Sequence, residues 1–304
     1  TAVMQYDGAK GWLIGEPHKG MAAMFTMMNN ARLGVGMQGV AVAEAAFQQA
    51  LAYASDRKQG KTPLGSGAII DHADVRRMLA QMKAEVFSAR AIGLACAVAI
   101  DMARATGLPE WQARAALLTP IAKAYGTDIG NEVAQLGVQV HGGMGYIEET
   151  GAAQFARDAR VTAIYEGTNG IQAMDLVARK MMDNGDAAYR LIDEVQAEAE
   201  LARTGQPDLA TAVWTAAEAL REATEALVAM ALNDRFAGAV PYLRAFARVL
   251  GGHFHLKAAV SDADRVALAQ FAIKRLLPEH SGLLAQVREG AAGVYAVTAE
   301  VLSA

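Results

Sequence analysis

An all-α fold is what this sequence predicts. Long proline-free stretches rich in Ala, Met and Val carry apolar residues at helical spacing, breaker clusters separate them, and aromatics make up only 6%. Ala and Met favour helix over strand. Apolar residues at i, i+3, i+4 and i+7 give a helix one face to bury. The expected architecture is a helical bundle preceded by a short β remnant.

Residues 1–16 alternate loosely around Tyr6, Trp12, Leu13 and Ile14, with Asp7-Gly8 as a turn signal, and read as the remnant of a β-hairpin. Gly15-Glu16-Pro17 ends that pattern. Residues 20–57 run without proline and predict a helix, with Gly34, Gly36 and Gly39 marking close packing against a neighbour. Residues 60–67 are dense in breakers and predict a loop. A second helix is expected from near Asp71, a residue type that caps free N–H groups. Its stripe of Val75, Met78, Leu79, Met82 and Val86 continues to about Arg104, a rod of roughly 50 Å. Gly107-Leu108-Pro109 stops it, and Pro109 suits the first position of a third helix over about 110–140. A tight turn at 142–146, a short helix at 152–158 and a loop at 164–168 entering another helix follow. Asn184-Gly185-Asp186 looks like a boundary. Beyond it lie four or five Ala-rich amphipathic segments, such as Leu209, Val213, Trp214, Ala217, Leu220, Leu227 and Val228. Gly205-Gln206-Pro207, Gly251-Gly252 and Pro278 are read as the breaks between them.

Composition narrows the function. With 304 residues, 53% hydrophobic and 20% charged, the chain can bury a sizeable core. Its net charge is −4, with neither sign in a long block, which excludes a nucleic-acid-binding stripe. The short basic run Arg57-Lys58-Gln59-Gly60-Lys61 is enough for one phosphate group. The single cysteine, Cys96, excludes an intrachain disulfide and reads as a small buried hydrophobe. Its apolar run, 91–100, is far short of the ~20 residues that span a bilayer. No membrane span is expected, and the location is read as cytoplasmic or otherwise intracellular. His253 and His255 fall about 200° apart on a helix, poor geometry for joint metal ligands, and no metal is expected. His18, His72 and His280 read as ordinary residues; Met27, Met28, Met78 and Met82 read as core. HExxH, GxSxG, P-loop and Rossmann motifs are all missing. The opening residues read as the middle of something longer.

The densest motif is Gln139-Val140-His141-Gly142-Gly143-Met144-Gly145-Tyr146, followed by Arg157-Asp158-Ala159-Arg160 and Ile164-Tyr165-Glu166-Gly167-Thr168-Asn169-Gly170-Ile171-Gln172. In this order and spacing the segments resemble the acyl-CoA dehydrogenase signature, over roughly residues 10–182. The resemblance implies three parts. Residues 1–16 would be a remnant of the middle β-barrel domain, 17–182 the C-terminal four-helix bundle, and 183–304 a helical C-terminal extension. It also implies FAD lying between subunits of a homodimer or homotetramer. The reaction would be α,β-dehydrogenation of an acyl-CoA to trans-2-enoyl-CoA, with an electron-transfer flavoprotein as acceptor.

By the same resemblance Glu166 is the base that takes the α-proton, since a carbonyl-activated C–H is still a weak acid. Its backbone N–H would stabilise charge on the thioester oxygen, and the bland alternative is an exposed helix cap. Tyr165 and Gly167 are carried over as substrate contacts, and Arg32 of Asn29-Asn30-Ala31-Arg32 as a CoA contact. Arg57, Gln139, Gly142, Gly143 and Thr168 are carried over as flavin contacts, Arg57 on the pyrophosphate of the neighbouring subunit. Departures are a one-residue-shorter Arg57-Lys58-Gln59-Gly60, Gly170 where many members have Gln, His141 for a common Phe and Asn29 for Asp. Arg157-Asp158 reads as a structural ion pair or cap. The segments HGGMGYIEETGAAQ and YEGTNGIQ, with the tail after 183, resemble the branch of 3-(methylthio)propanoyl-CoA and broad-range fatty acyl-CoA dehydrogenases. Two rivals stay open: an acyl-CoA oxidase and a non-catalytic assembly module. The chain alone is expected to retain FAD poorly.

Overall fold

The helix-favouring composition is realised throughout. The computed structural model describes residues 2–304, apart from the side chains of Phe25, Thr26 and Asn29, and runs from helix to helix between Gly20 and Ser303. Three long rods come first: α1 (Gly20–Asp56), α2 (Ala73–Thr106) and α3 (Pro109–His141). Short pieces follow: α4 (Gly143–Tyr146), α5 (Ala152–Arg160) and α6 (Asn169–Val177). The extension holds α7 (Asp186–Ala202), α8 (Pro207–Ala229), α9 (Leu232–Ala237) and α10 (Ala239–Ser261). It ends with α11 (Val266–Phe271), α12 (Glu279–Arg288), α13 (Ala292–Ala296) and α14 (Ala299–Ser303).

The punctuation follows local chemistry in most places. Gly107 closes α2 in the left-handed conformation at φ 68°, and Pro109 opens α3. Asp71 does not cap α2, which starts after His72. Its carboxylate instead accepts the Ser66 backbone N–H at 3.2 Å and hydroxyl at 2.7 Å, folding the preceding loop onto itself. Residues 2–16 differ from the expected hairpin: they are exposed, and no strand forms among the described residues. A hairpin needs a partner for its backbone groups, and no described segment pairs with them. Gly251 and Gly252 lie inside α10 and break nothing. An added Cβ would meet Ser88 Oγ at 2.9 Å and Leu277 at 3.2 Å, so the pair lets neighbours approach closely.

α1 and α3 run parallel in close contact: Gly36 lies against Ala122, and Gly39 against Gly126. α2 is antiparallel to α1, since Met37 meets Gly93 and Glu44 meets Arg90. The predicted stripe of α2 is its core face, with Met78, Leu79, Met82 and Val86 buried and Val75 half-buried. Cys96 is buried as expected. Met27 is exposed, because the first turns of α1 project beyond their neighbours.

One contiguous apolar core reaches from Val40 on α1 to Val287 on α12, so the extension shares it with the long rods. A buried polar cluster crosses the same junction. Arg248 of α10 donates to Glu85 of α2 at 2.6 Å and to Tyr125 of α3 at 3.0 Å, and Tyr125 donates to Glu85 at 2.8 Å. Arg248 also reaches Glu279 of α12 at 2.5 Å. Burial opposes the Arg248 charge, but Tyr125, Glu85 and Glu279 outweigh it and hold the guanidinium protonated. By length and composition α2 is apolar enough to cross a membrane, yet here it packs against α1, α3 and α10 and carries buried Glu85.

Candidate active site

After α5 the chain turns sharply before entering α6. Glu166 sits there at φ 57°, in the left-handed region. For a residue other than glycine this costs on the order of 1–3 kcal/mol and persists only where the surroundings enforce it. Gly167 follows at φ 86°. Thr168 then caps α6, its hydroxyl accepting the Ile171 N–H at 3.3 Å. Gln172, wholly buried, holds the turn from beneath: its Nε2 donates to the carbonyls of Glu166 at 3.2 Å and Gly167 at 3.4 Å. An added Cβ on Gly167 would stand 2.8 Å from that nitrogen. Sterics and backbone conformation therefore both require glycine. The Glu166 side chain is half-buried and makes no hydrogen bond or ion pair among the described residues.

Beneath the turn lies a buried polar chain. Lys123 of α3 donates to Asn169 Oδ1 at 2.9 Å, and Asn169 Nδ2 donates to Asp128 Oδ1 at 2.6 Å and Thr127 Oγ1 at 2.9 Å. Burial lowers Lys123 to about 8, with Asp128 and Glu166 pulling the other way and Arg32 adding to the fall. Tyr165 donates its hydroxyl to Gln38 of α1, tying the turn to the first rod. Arg32 is buried and faces Asp175 of α6 across 3.5 Å, with its Nε lacking an acceptor. It lines a cavity of about 300 Å³ together with Asn30, Arg104, Gln112, Asp175 and Lys180. The side chain of Asn29, which departs from the usual Asp, lies outside the described residues.

The predicted residues fall into two groups. Glu166, Gly167, Thr168, Tyr165 and Arg32 gather around the N-terminus of α6. Arg57, Gln139, Gly142 and Gly143 gather at the C-terminal ends of α1 and α3, which Tyr53 and His141 join by stacking at 4.4 Å. The offset from Lys123 to Gln139 along α3 is roughly 24 Å at 1.5 Å per residue. Arg57, Gln139, Gly142 and Gly143 are exposed, and the Arg57 guanidinium has no partner among the described residues. His141, in the place of a common Phe, is buried and stacks on Tyr53. Arg157 pairs with Glu148 at 2.7 Å and not with its neighbour Asp158. Adjacent helical residues point away from each other.

Sequence reasoning missed Lys123, Asp128, Asn169 and Gln172. Lys123 carried one weak signal, a charge inside the otherwise apolar stretch 117–126. It also missed that Glu194, Glu198 and His253 each bring a ligand atom within 4.8 Å of the others. Both carboxylates are engaged, Glu194 by Arg114 and Glu198 by Lys257 at 2.8 Å, an arrangement already neutralised without a cation. His255 turns away to the Ala84 carbonyl at 3.1 Å.

The family description "Acyl-CoA dehydrogenase, C-terminal domain" matches residues 18–182, and "Acetyl-CoA dehydrogenase C-terminal like" matches 191–298. The chain is 46% identical over 257 residues to the 3-methylmercaptopropionyl-CoA dehydrogenase of Ruegeria pomeroyi, covering 80% of this chain and 44% of that protein. It is 36% identical over 203 residues to a butyryl-CoA dehydrogenase of Syntrophomonas wolfei, covering 62% of this chain and 33% of that one. The chain thus spans less than half the length of these relatives. Two solved structures share its fold at 19% identity. Caenorhabditis elegans ACDH-11 in complex with C11-CoA superposes with a TM-score of 0.75 over 87% of this chain and 46% of that one. A Bacillus anthracis acyl-CoA dehydrogenase complexed with FAD gives 0.66 over 90% and 50%.

Proposed function

Because the chain belongs to the acyl-CoA dehydrogenase family, we propose that it carries the base and part of the flavin site of an enzyme that oxidises the Cα–Cβ bond of an acyl-CoA thioester. The observation that carries this is Glu166: an unpaired, half-buried carboxylate held at φ 57° at the mouth of α6.

Glu166 takes the proton from Cα, and its backbone N–H donates to the thioester oxygen as charge gathers there. FAD, when bound, would supply the acceptor for the hydride that leaves Cβ as the Cα–Cβ double bond forms. Gly167 presents its backbone to the acyl group while Gln172 fills the side where a Cβ would stand, and Tyr165, tied to Gln38, walls the turn. Arg32 meets the CoA portion beside the cavity it lines. Arg57 suits the flavin pyrophosphate, since a free guanidinium makes charge-assisted bonds to phosphate. Nothing lies within 4 Å of an added Cβ on Gly142 or Gly143, so their backbone is open to the same group, with Gln139 beside them. Thr168 stands on the flavin side of the turn. The distance between the two groups of residues supports a flavin shared between subunits, in a homodimer or homotetramer. On this reading residues 17–182 form the catalytic bundle, 183–304 a supporting extension and 1–16 the edge of a preceding domain. An electron-transfer flavoprotein would collect the electrons.

The test is a panel of acyl-CoA thioesters mixed anaerobically with the flavin-loaded enzyme, following bleaching of the flavin. The relative's name makes 3-methylmercaptopropionyl-CoA the first thioester to try, with butyryl-CoA and longer chains beside it. Bleaching by at least one thioester is expected. Its absence across the panel overturns the reading, and rapid reoxidation in air would move it to an oxidase.

A further inference from the structure

Lys123 has no part in the steps above, yet it is wholly buried, a state that lysine avoids unless it is paired or used. It stands on α3, 43 residues before Glu166, and meets that loop only through the fold. Its ammonium has three N–H groups. One goes to Asn169 Oδ1 at 2.9 Å. Asn169 is the first residue of α6, three positions after Glu166. Asn169 Nδ2 passes the contact on to Asp128 Oδ1 at 2.6 Å, and the Thr127 hydroxyl closes the ring at 2.9 Å. The charges acting on Lys123 are Asp128 on its own helix, Arg32 on α1 and, from the α6 loop, Glu166.

Resting on the reading of Glu166 as the base, we propose that Lys123 is its positioning residue: the Lys123–Asn169–Asp128 chain fixes the start of α6 and with it the turn that carries Glu166. A purely structural lysine would be a poor choice here. Burial lowers Lys123 from its ordinary value to about 8. The folded state therefore carries a cost below that pH, which is relieved as pH rises from about 8 toward the unfolded value. A residue that costs stability at neutral pH yet is bonded to the first residue of α6 is placed to hold the turn that precedes it.

The test uses the flavin-loaded holoenzyme with Lys123→Met, Lys123→Arg and Asn169→Ala, measuring flavin bleaching, KM and melting temperature across pH. For Lys123→Met we expect bleaching about 100-fold slower, as for a base displaced by about an ångström, with KM within about threefold of wild type. Its melting temperature at pH 7 should not fall. Lys123→Arg, which keeps a charged donor for Asn169, should restore bleaching to within about fivefold of wild type. Bleaching within about twofold of wild type in Lys123→Met would overturn the proposal. So would a lowered melting temperature with no rescue by arginine, the mark of a lysine that only supports the fold. If Lys123→Met does not fold, Asn169→Ala decides: it keeps the cation and cuts the link, and unchanged bleaching refutes the chain. Failure of the wild-type enzyme to bleach at all identifies the Glu166 reading as the part at fault and takes this proposal with it.

Discussion

Glu166-Gly167-Thr168 could be singled out from sequence as adjacent residues of one motif, and in the fold they form the turn that enters α6. The residues that hold them could not be. Gln172 lies six positions on and is recognisable only once the turn folds back over it; Lys123 and Asp128 reach Asn169 across more than forty residues. Burial, which no spacing rule reports, also sets the behaviour of His253 and His255. It lowers both imidazoles to about 4, so they are neutral in the folded protein and charge on unfolding. Their folded values lie below the ordinary 6.5, so the stability they contribute is full above about pH 6.5 and is lost as pH falls toward 4. Within that window the unfolded state binds up to two more protons. The stability should fall by up to ~2.7 kcal/mol per pH unit from this pair. Urea unfolding at pH 7, 6 and 5 measures it, and a flat dependence contradicts the buried, neutral placement.

Helices were the more legible scale. Period, breakers and the Gly-x-Pro stop between α2 and α3 located the rods, because a helix is a local object. Which glycines serve packing was not legible, since Gly34, Gly36 and Gly39 look alike in a string. In the fold Gly36 is buried, and an added Cβ would stand 2.6 Å from the Ala122 carbonyl oxygen, whereas Gly34 is exposed with nothing within 4 Å. Gly36→Ala should force α1 from α3 and cost ~3 kcal/mol or more. Gly34→Ala should stabilise by about 0.5–1 kcal/mol through helix propensity alone. Paired thermal melts check both; equal effects would contradict the parallel, touching geometry of the two rods. Gly251-Gly252 shows the same ambiguity in reverse, a sequence break that serves as a contact surface inside α10.

At the scale of the whole molecule, Asn184-Gly185-Asp186 reads as a boundary in sequence and is a turn within one continuous core in the structure. Asn184 and Gly185 take φ 59° and 85°, and the apolar cluster runs on either side of them. The junction is fastened by Arg248, Glu85, Tyr125 and Glu279. Removing one partner leaves a buried charge without compensation, so Arg248→Met should cost about 3–5 kcal/mol. It should also leave a single unfolding transition, because extension and rods share their core. Two separated transitions by calorimetry would show instead that the extension folds by itself. Arg244 of α10 pairs with Glu132 of α3, and both act on Asp128. The extension thus reaches electrostatically to the support of the α6 turn.

The most direct measurement is anaerobic stopped-flow bleaching of the flavin-loaded enzyme carrying Glu166→Gln, together with exchange of the substrate α-proton into deuterated water. Glutamine keeps the shape and removes the base. The account predicts that FAD stays bound and the acyl-CoA still binds, while bleaching slows roughly a hundred- to ten-thousand-fold and α-proton exchange stops. Bleaching and exchange at wild-type rates would contradict it.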